Sequence, residues 1–195
     1  VIFGSAATVG FKSGRNAELL SLSGDYAKLN AVVSVAKWFG HLRHDYLLTS
    51  GFWWEEFAQI ESDRFRRVAL RELVGTGPRF RLFEAEPFEA FYGVAYLFEH
   101  TNLDTSHPDG SYGQGNAHRL SNYLAATLRA HPNIVLSHVT YLQPRFDRPS
   151  DYKVLSTTNA DMAVAQHLHT RLDVTIRYDS VAPPDIRRSD VEIKS

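Results

Sequence analysis

Apolar and polar positions alternate with a period of two along most of this chain, the spacing of a β-strand whose side chains point to opposite faces in turn. From Arg171 to Asp179, Leu172, Val174, Ile176 and Tyr178 share one face, and Arg171, Asp173, Thr175, Arg177 and Asp179 share the other. From Phe88 to His100, Phe88, Ala90, Tyr92, Val94, Tyr96 and Phe98 form an apolar stripe opposite Glu89, Gly93, Ala95 and Glu99. Tyr152 to Ala165 sets Tyr152, Val154, Ala160, Met162 and Val164 against Lys153, Thr157, Asn159 and Asp161. Arg119 to Arg129 sets Leu120, Leu124, Ala126 and Leu128 against Arg119, Ser121, Thr127 and Arg129. In Asp45 to Phe57, Tyr46, Leu48, Phe52 and Trp54 oppose Thr49, Gly51 and Glu55, with Trp53 on the polar side.

Further strands are expected at Phe3 to Lys12, Ala17 to Lys28, Ala31 to Phe39, Phe65 to Leu82, Ile134 to Gln143 and from Ser189 onward. The total is about eleven, mostly near the length that a tilted strand needs to cross a bilayer. Ile134 to Gln143 has no clean face. Phe65 to Leu82 is too long for a simple span and puts Glu72 among Val68, Leu70, Val74 and Phe80, so it is expected to bulge or to stand partly clear.

Connections also alternate. Short ones are expected at Ser13 to Asn16, His41 to His44, Glu84 to Pro87, His131 to Asn133 and His167 to Thr170. Longer ones are expected at Gln59 to Asp63, Asn102 to Ala117, Pro144 to Asp151 and Ser180 to Arg188. Short turns at one end and long polar loops at the other are the habit of up-and-down outer-membrane barrels. The expected fold class is therefore all-β: an antiparallel up-and-down transmembrane β-barrel of about 10–12 strands. Residues 1–195 are taken as a single domain, lacking part of a C-terminal strand because an odd count is unusual for such barrels.

Composition changes this picture little. The 44% hydrophobic content and the net charge of −1 would suit a soluble domain, yet alternation averages to the same values in a membrane barrel. Near-neutral charge argues against a nucleic-acid partner. No Cys is present, so disulfides and thiolate zinc sites are excluded. No Gly-rich phosphate loop, HExxH or EF-hand pattern occurs, and no cofactor is expected. The chain begins at Val1 rather than Met, which reads as processed or truncated and leaves room for an export signal outside it.

The charged faces are the most informative candidate set. Glu55, Arg67, Arg71, Arg79, Arg81, Glu89, Glu99, Arg119, Arg129, Lys153, Asp161, Arg171, Asp173 and Arg177 fall on the polar side of their strands. Arg outnumbers Lys by about three to one, which suits buried ion pairing because a planar guanidinium engages two carboxylate oxygens. These residues are expected to fill a narrow lumen; an Arg-lined pore is the alternative. Phe88, Tyr92, Val94, Tyr96, Phe98, Leu172, Val174, Ile176 and Tyr178 are expected to face lipid. Aromatics such as Trp38, Trp54, Phe83, Tyr123 and Tyr152 often lie near strand ends, as in interfacial girdles. A soluble barrel with an apolar interior would give the same alternation with the faces exchanged.

Two other patterns carry less. His118, Ser121 and Asn122 contain the residue types of a hydrolase triad, but neighbours on a strand point to opposite faces, so no catalytic set is expected. His41, His44, His131, His167 and His169, of nine histidines in all, fall in the expected short turns. A metal needs three or four converging ligands, so spread around a rim they are not expected to form a site.

The segments SGRNAELLSLSGDYAK, LVGTGPRFRLFEAEPFEAFYGVAYLFEHTNLD, HRLSNYLAATLRAHPNIVLSHVTYLQPRFDRPSDYKV and RYDSVAPPDIRRSDVEIKS follow one another along nearly the whole chain. In that order they resemble the YdiY-like salt-induced outer-membrane proteins, a domain-of-unknown-function family of β-barrels. The loop between the second and third strands is shorter here than in that family. The resemblance implies an outer-membrane location and supplies no catalytic residues. The expected role is structural or interaction-based, with no enzymatic activity: a largely occluded barrel in contact with outer-membrane lipid, anchoring or accompanying an envelope assembly through its loops or rim. A narrow channel for small solutes or ions linked to osmotic stress is the alternative, and a lipid hydrolase the third.

Overall fold

The computed structural model of the protein describes residues 2–29, 32–103, 115–165, 168–182 and 186–194. Eleven strands follow in chain order: β1 (Ile2–Ser13), β2 (Asn16–Leu29), β3 (Val32–Thr49), β4 (Phe52–Asp63), β5 (Val68–Ala85), β6 (Phe88–Leu103), β7 (Gly115–His131), β8 (Ile134–Pro144), β9 (Tyr152–Ala165), β10 (Leu168–Asp179) and β11 (Ser189–Lys194). They form one antiparallel sheet in sequential order, so β1 and β11 are its end strands. Among the described residues the only helical piece is the 3-10 turn Arg64–Arg66.

The turns explain the sorting of the connections. Gly14 opens the β1–β2 turn with φ 58° and Gly51 closes the β3–β4 turn with φ 83°, both in the left-handed region that only glycine enters cheaply. Glu86–Pro87 and Pro132–Asn133 are equally short. Of the connections that alternate with these, four are longer, at 64–67, 104–114, 145–151 and 180–188. In an antiparallel meander alternate connections share an end of the sheet.

Packing divides the chain into two compact units. The first comprises Val1–Leu48, Trp53–Gly77 and Tyr96–His118. In it Val9 pairs with Leu20 and Leu20 with Leu42 on one face, while Thr8 pairs with Ser21 and Ser21 with His41 on the other. The apolar face is bare, with Leu20, Leu22, Trp38, Leu42, Trp54, Ile60 and Val74 exposed. The other face is covered, and Asp45, Glu55, Leu73, Leu97, Glu99 and Ala117 are buried there. Phe57 lies across β5 where Gly75 leaves room for it; a Cβ at Gly75 would stand 2.2 Å from the Phe57 ring.

The second unit comprises Thr49–Phe52, Pro78–Ala95 and Arg119–Ser195 and has the same inverted polarity. Leu82, Leu124, Leu142, Leu172 and Ile176 are exposed, whereas Ala95, Arg119, Ser121, Tyr123 and Asp151 are buried. Tyr123 covers Gly93, where a Cβ would stand 2.1 Å from the ring. Small residues in a strand interior often mark such a close approach.

The sequence expectations need four corrections. His41 to His44 is no turn: β3 continues through it, because His41, Arg43 and Asp45 are the polar side of an alternation whose other side is Trp38, Leu42, Tyr46 and Leu48. The hairpin turn lies instead at Ser50–Gly51. Gln59 to Asp63 is the end of β4, and the connection that follows is the 3-10 turn. The strand expected from Phe65 begins at Val68, since Arg67 adopts a left-handed φ of 56° after that turn. The strand expected from Asp45 to Phe57 is two, the end of β3 and the start of β4, while the one expected at Ile134 to Gln143 is present as β8, paired on both sides despite its impure face. His167 and most of the longest connection lie outside the described residues.

Candidate functional site

The polar face of the first unit is organised around Arg71 on β5. Its Nη1 donates to Glu61 Oε1 on β4 at 2.9 Å and its Nη2 to Glu99 Oε2 on β6 at 3.0 Å. One guanidinium thus ties three adjacent strands together, and Thr101 Oγ1 donates to the other oxygen of Glu99 at 3.0 Å. Glu99 is 3% exposed, so its charge is sustained by these donors rather than by water. Nearby, Arg43 lies 3.5 Å from buried Asp45. His41 stacks between Phe39 and Phe57, with ring centroids 6.2 Å from each.

In the second unit the corresponding centre is Arg119 on β7, also 3% exposed. Arg119 Nη2 donates to Asp151 Oδ1 at 3.1 Å, and Nη1 to the carbonyl oxygens of Gln143 and Asp151 at 3.1 and 3.2 Å. Asp151 ends the 145–151 connection, and its other oxygen accepts from Arg148 at 2.9 Å and lies 3.6 Å from Arg145. The backbone N–H of Asp151 donates to the Arg148 carbonyl, and that of Arg145 donates to the Asp151 carbonyl. These bonds fasten the loop onto the strand below. Burial would raise the Asp151 carboxyl, but the Arg148 hydrogen bond and the charges of Arg119 and Arg145 outweigh it and hold the group below its ordinary value. The fork of Arg145 grips Asp147 at 2.8 and 2.7 Å, and this hydrogen bonding holds Asp147 down at about 2.

The remaining charges expected in a lumen pair locally. Arg79 stacks 4.3 Å over the Phe91 ring, and Arg81 pairs with Glu84. Arg129 reaches Glu89 at 3.3 Å and Glu86 at 3.8 Å beside the Glu86–Pro87 turn. Arg171 meets Asp173 at 2.8 Å and Asp161 at 3.8 Å, while Arg177 meets Glu192 on β11 at 3.0 Å. Glu55 is buried on the same face as Trp53 and Phe57. The charged set therefore includes a series of pairs along the polar face.

The residues expected to meet lipid lie together on the opposite face. Phe88, Tyr92, Tyr96, Leu172 and Ile176 are exposed, Val94, Phe98, Val174 and Tyr178 half-buried. That face also carries polar groups which sequence reasoning missed. Tyr92 donates to Asn122, and Tyr96 bonds His118. His138 bonds Thr158 at 2.8 Å and Thr140 at 2.9 Å. His138 and Thr140 sit two apart on one face of β8, and the β8–β9 register brings Thr158 to them. The Asp151 latch was equally hidden, although the charge density of PRFDRPSD was its signal.

Ser121 and His118 do not meet. Ser121 is buried and accepts from Gln143 Nε2 at 3.3 Å, whereas His118 is on the exposed face with Tyr96. His44, in mid-strand, bonds Asn16 and lies 3.6 Å from Glu56. Among the described residues no three His, Asp or Glu side chains converge as a metal would require. A family model described as a protein of unknown function, DUF481, matches residues 4–194. The chain belongs to the DUF481 family. No curated protein and no solved structure matches it. In this DUF481 chain the buried ion-paired networks lie on one face of the strands and the exposed apolar side chains on the other.

Proposed function

We propose that this chain forms the wall of a closed transmembrane β-barrel in a Gram-negative-type outer membrane, a structural or interaction protein with an occluded lumen. The observation that supports it is the inverted polarity. Tyr96 and Ile176 are 45% and 46% exposed, while Glu99 and Arg119 are each 3% exposed. Soluble proteins rarely leave a contiguous apolar surface beyond several hundred Å² open to water, and a soluble barrel would turn this face inward. Lipid removes the conflict, because bare Leu, Ile and aromatic side chains then contact acyl chains. The charged face is the one that water or opposing side chains would cover.

Occlusion is supported by local pairing: Arg71, Arg119, Arg171 and Arg177 each hold a carboxylate within 3.1 Å. Paired guanidiniums present little unsatisfied field to a passing ion. The anchoring or accompanying of an envelope assembly would use the longer connections, such as 145–151. The resemblance to YdiY-like proteins adds a link to salt stress.

The test is extraction and conductance. The full chain should partition into detergent rather than buffer, and in planar bilayers it should insert without steady openings. Recovery in buffer as a monomer would overturn the membrane reading. Steady large openings would replace the occluded barrel by a channel.

A further inference from the structure

A groove of about 560 Å³ lies wholly within the first unit, beside the connection between β4 and β5. Its apolar walls include Phe3, Tyr26, Trp38 and Val68, and its polar contributors include Lys37 and Arg64. Phe3, Tyr26 and Trp38 are exposed and belong to the same bare apolar face as Leu22 and Leu42. The groove therefore continues the surface that the proposed function places in the bilayer, and it ends at charged residues.

The charges at the groove leave an excess of cation. Lys37 is 3.6 Å from Asp25, so that pair is locally neutral. Arg64 and Arg66 make no ion pair among the described residues, and the adjacent carboxylate, Asp63 at the end of β4, accepts instead from the backbone N–H groups of Phe65 and Arg66 at 3.0 and 3.2 Å. Phe65, between the two arginines, is 51% exposed. An exposed aromatic flanked by cations at the end of an apolar wall matches the depth at which headgroup phosphates sit above acyl chains. A guanidinium meets a phosphate through two parallel hydrogen bonds, which an ammonium cannot do.

We propose that this groove binds an anionic glycerophospholipid, with acyl chain against Phe3, Tyr26 and Trp38 and phosphate at Arg64, which lines it, supported by Arg66 two residues further along the same connection. The proposal rests on the membrane reading above. Basic side chains near an anionic lipid surface each strengthen binding about fivefold.

The test uses the full chain in phosphatidylcholine bilayers, with Trp53→Phe and Trp54→Phe leaving Trp38 as the reporter. Brominated phosphatidylglycerol should quench Trp38 at several-fold lower mole fraction than brominated phosphatidylcholine. Arg64→Gln with Arg66→Gln, both in an exposed connection, should abolish the difference. Equal quenching by both lipids before and after that change would overturn the groove while leaving the membrane reading intact. No quenching by either would overturn the membrane reading for this face. Displacement of the brominated phosphatidylglycerol by inorganic phosphate would reduce the site to a plain anion contact and overturn the lipid proposal. The unsubstituted chain gives a second measurement: phosphatidylglycerol should be retained over phosphatidylcholine in native mass spectra after detergent release, and equal retention would count against the proposal.

Discussion

Replacing Asp151 by Asn isolates the latch between the 145–151 connection and β7. The substitution keeps shape and removes charge, so Arg119 stays buried with carbonyl oxygens but without its carboxylate. Breaking a buried ion pair from one side costs about 3–5 kcal/mol when nothing relaxes. Arg119 Nη1 retains the carbonyls of Gln143 and residue 151, which sets the expectation at the low end, about 3 kcal/mol. The assay is equilibrium urea unfolding of the chain refolded into lipid vesicles, followed by tryptophan fluorescence. Asp147→Asn is the control: Asp147 is solvent-exposed, and its loss should move the midpoint far less. The pH dependence follows from the same geometry. The Asp151 carboxyl is held below its ordinary value in the fold, so its contribution is complete above about pH 4 and disappears as pH falls through the lower folded value. Asp151→Asn should remove that acid sensitivity. An Asp151→Asn chain as stable as the parent, or no weaker than Asp147→Asn, would refute the reasoning.

Other expectations are independent of the latch. Gly93→Ala would drive a Cβ into the Tyr123 ring and should cost about 1–3 kcal/mol, a loss that Tyr123→Leu should relieve in a double-mutant cycle. Arg71→Met leaves Glu61 and Glu99 facing each other without their shared cation and should lower the urea midpoint more than Arg171→Met, whose pair is half-exposed. Because Ser121 and His118 sit on opposite faces, phospholipid incubated with the chain should show no hydrolysis by mass spectrometry, and Ser121→Ala should change nothing; turnover lost in that variant would contradict the separation.

The strand number and the assignment of faces were legible because alternation carries them directly. β10 shows one apolar and one polar side without exception from Arg171 to Asp179, whereas on β6 the face of Glu89 and Glu99 also carries Phe91 and Leu97; the structure buries Glu99 and exposes Ile176 accordingly. The misplacement of a turn at His41 to His44 has a clear origin. His41, Arg43 and Asp45 continue a period-two pattern although their polarity resembles that of a loop, and Gly51 supplies the real turn signal. The networks were less legible for a different reason. Alternation places Arg71 and Glu99 on polar faces, but Glu61 falls in the segment expected as a connection, and contact depends on register across three strands. The same holds for the His138 cluster, and for Asp151, which acts from a connection rather than a strand. The groove beside Arg64 was invisible in sequence because Phe3, Tyr26 and Trp38 come from three separate strands.

Site-directed spin labelling of β10 tests the central claim most directly, and the absence of native Cys makes it clean. Single Cys substitutions at Leu172, Asp173, Val174, Thr175, Ile176 and Arg177, labelled in lipid vesicles, report accessibility to oxygen, which concentrates in acyl chains, and to a water-soluble nickel chelate. Oxygen accessibility should peak at 172, 174 and 176 and fall at 173, 175 and 177. The opposite phase, or nickel accessibility at 172, 174 and 176, would contradict the assignment of the apolar face to lipid.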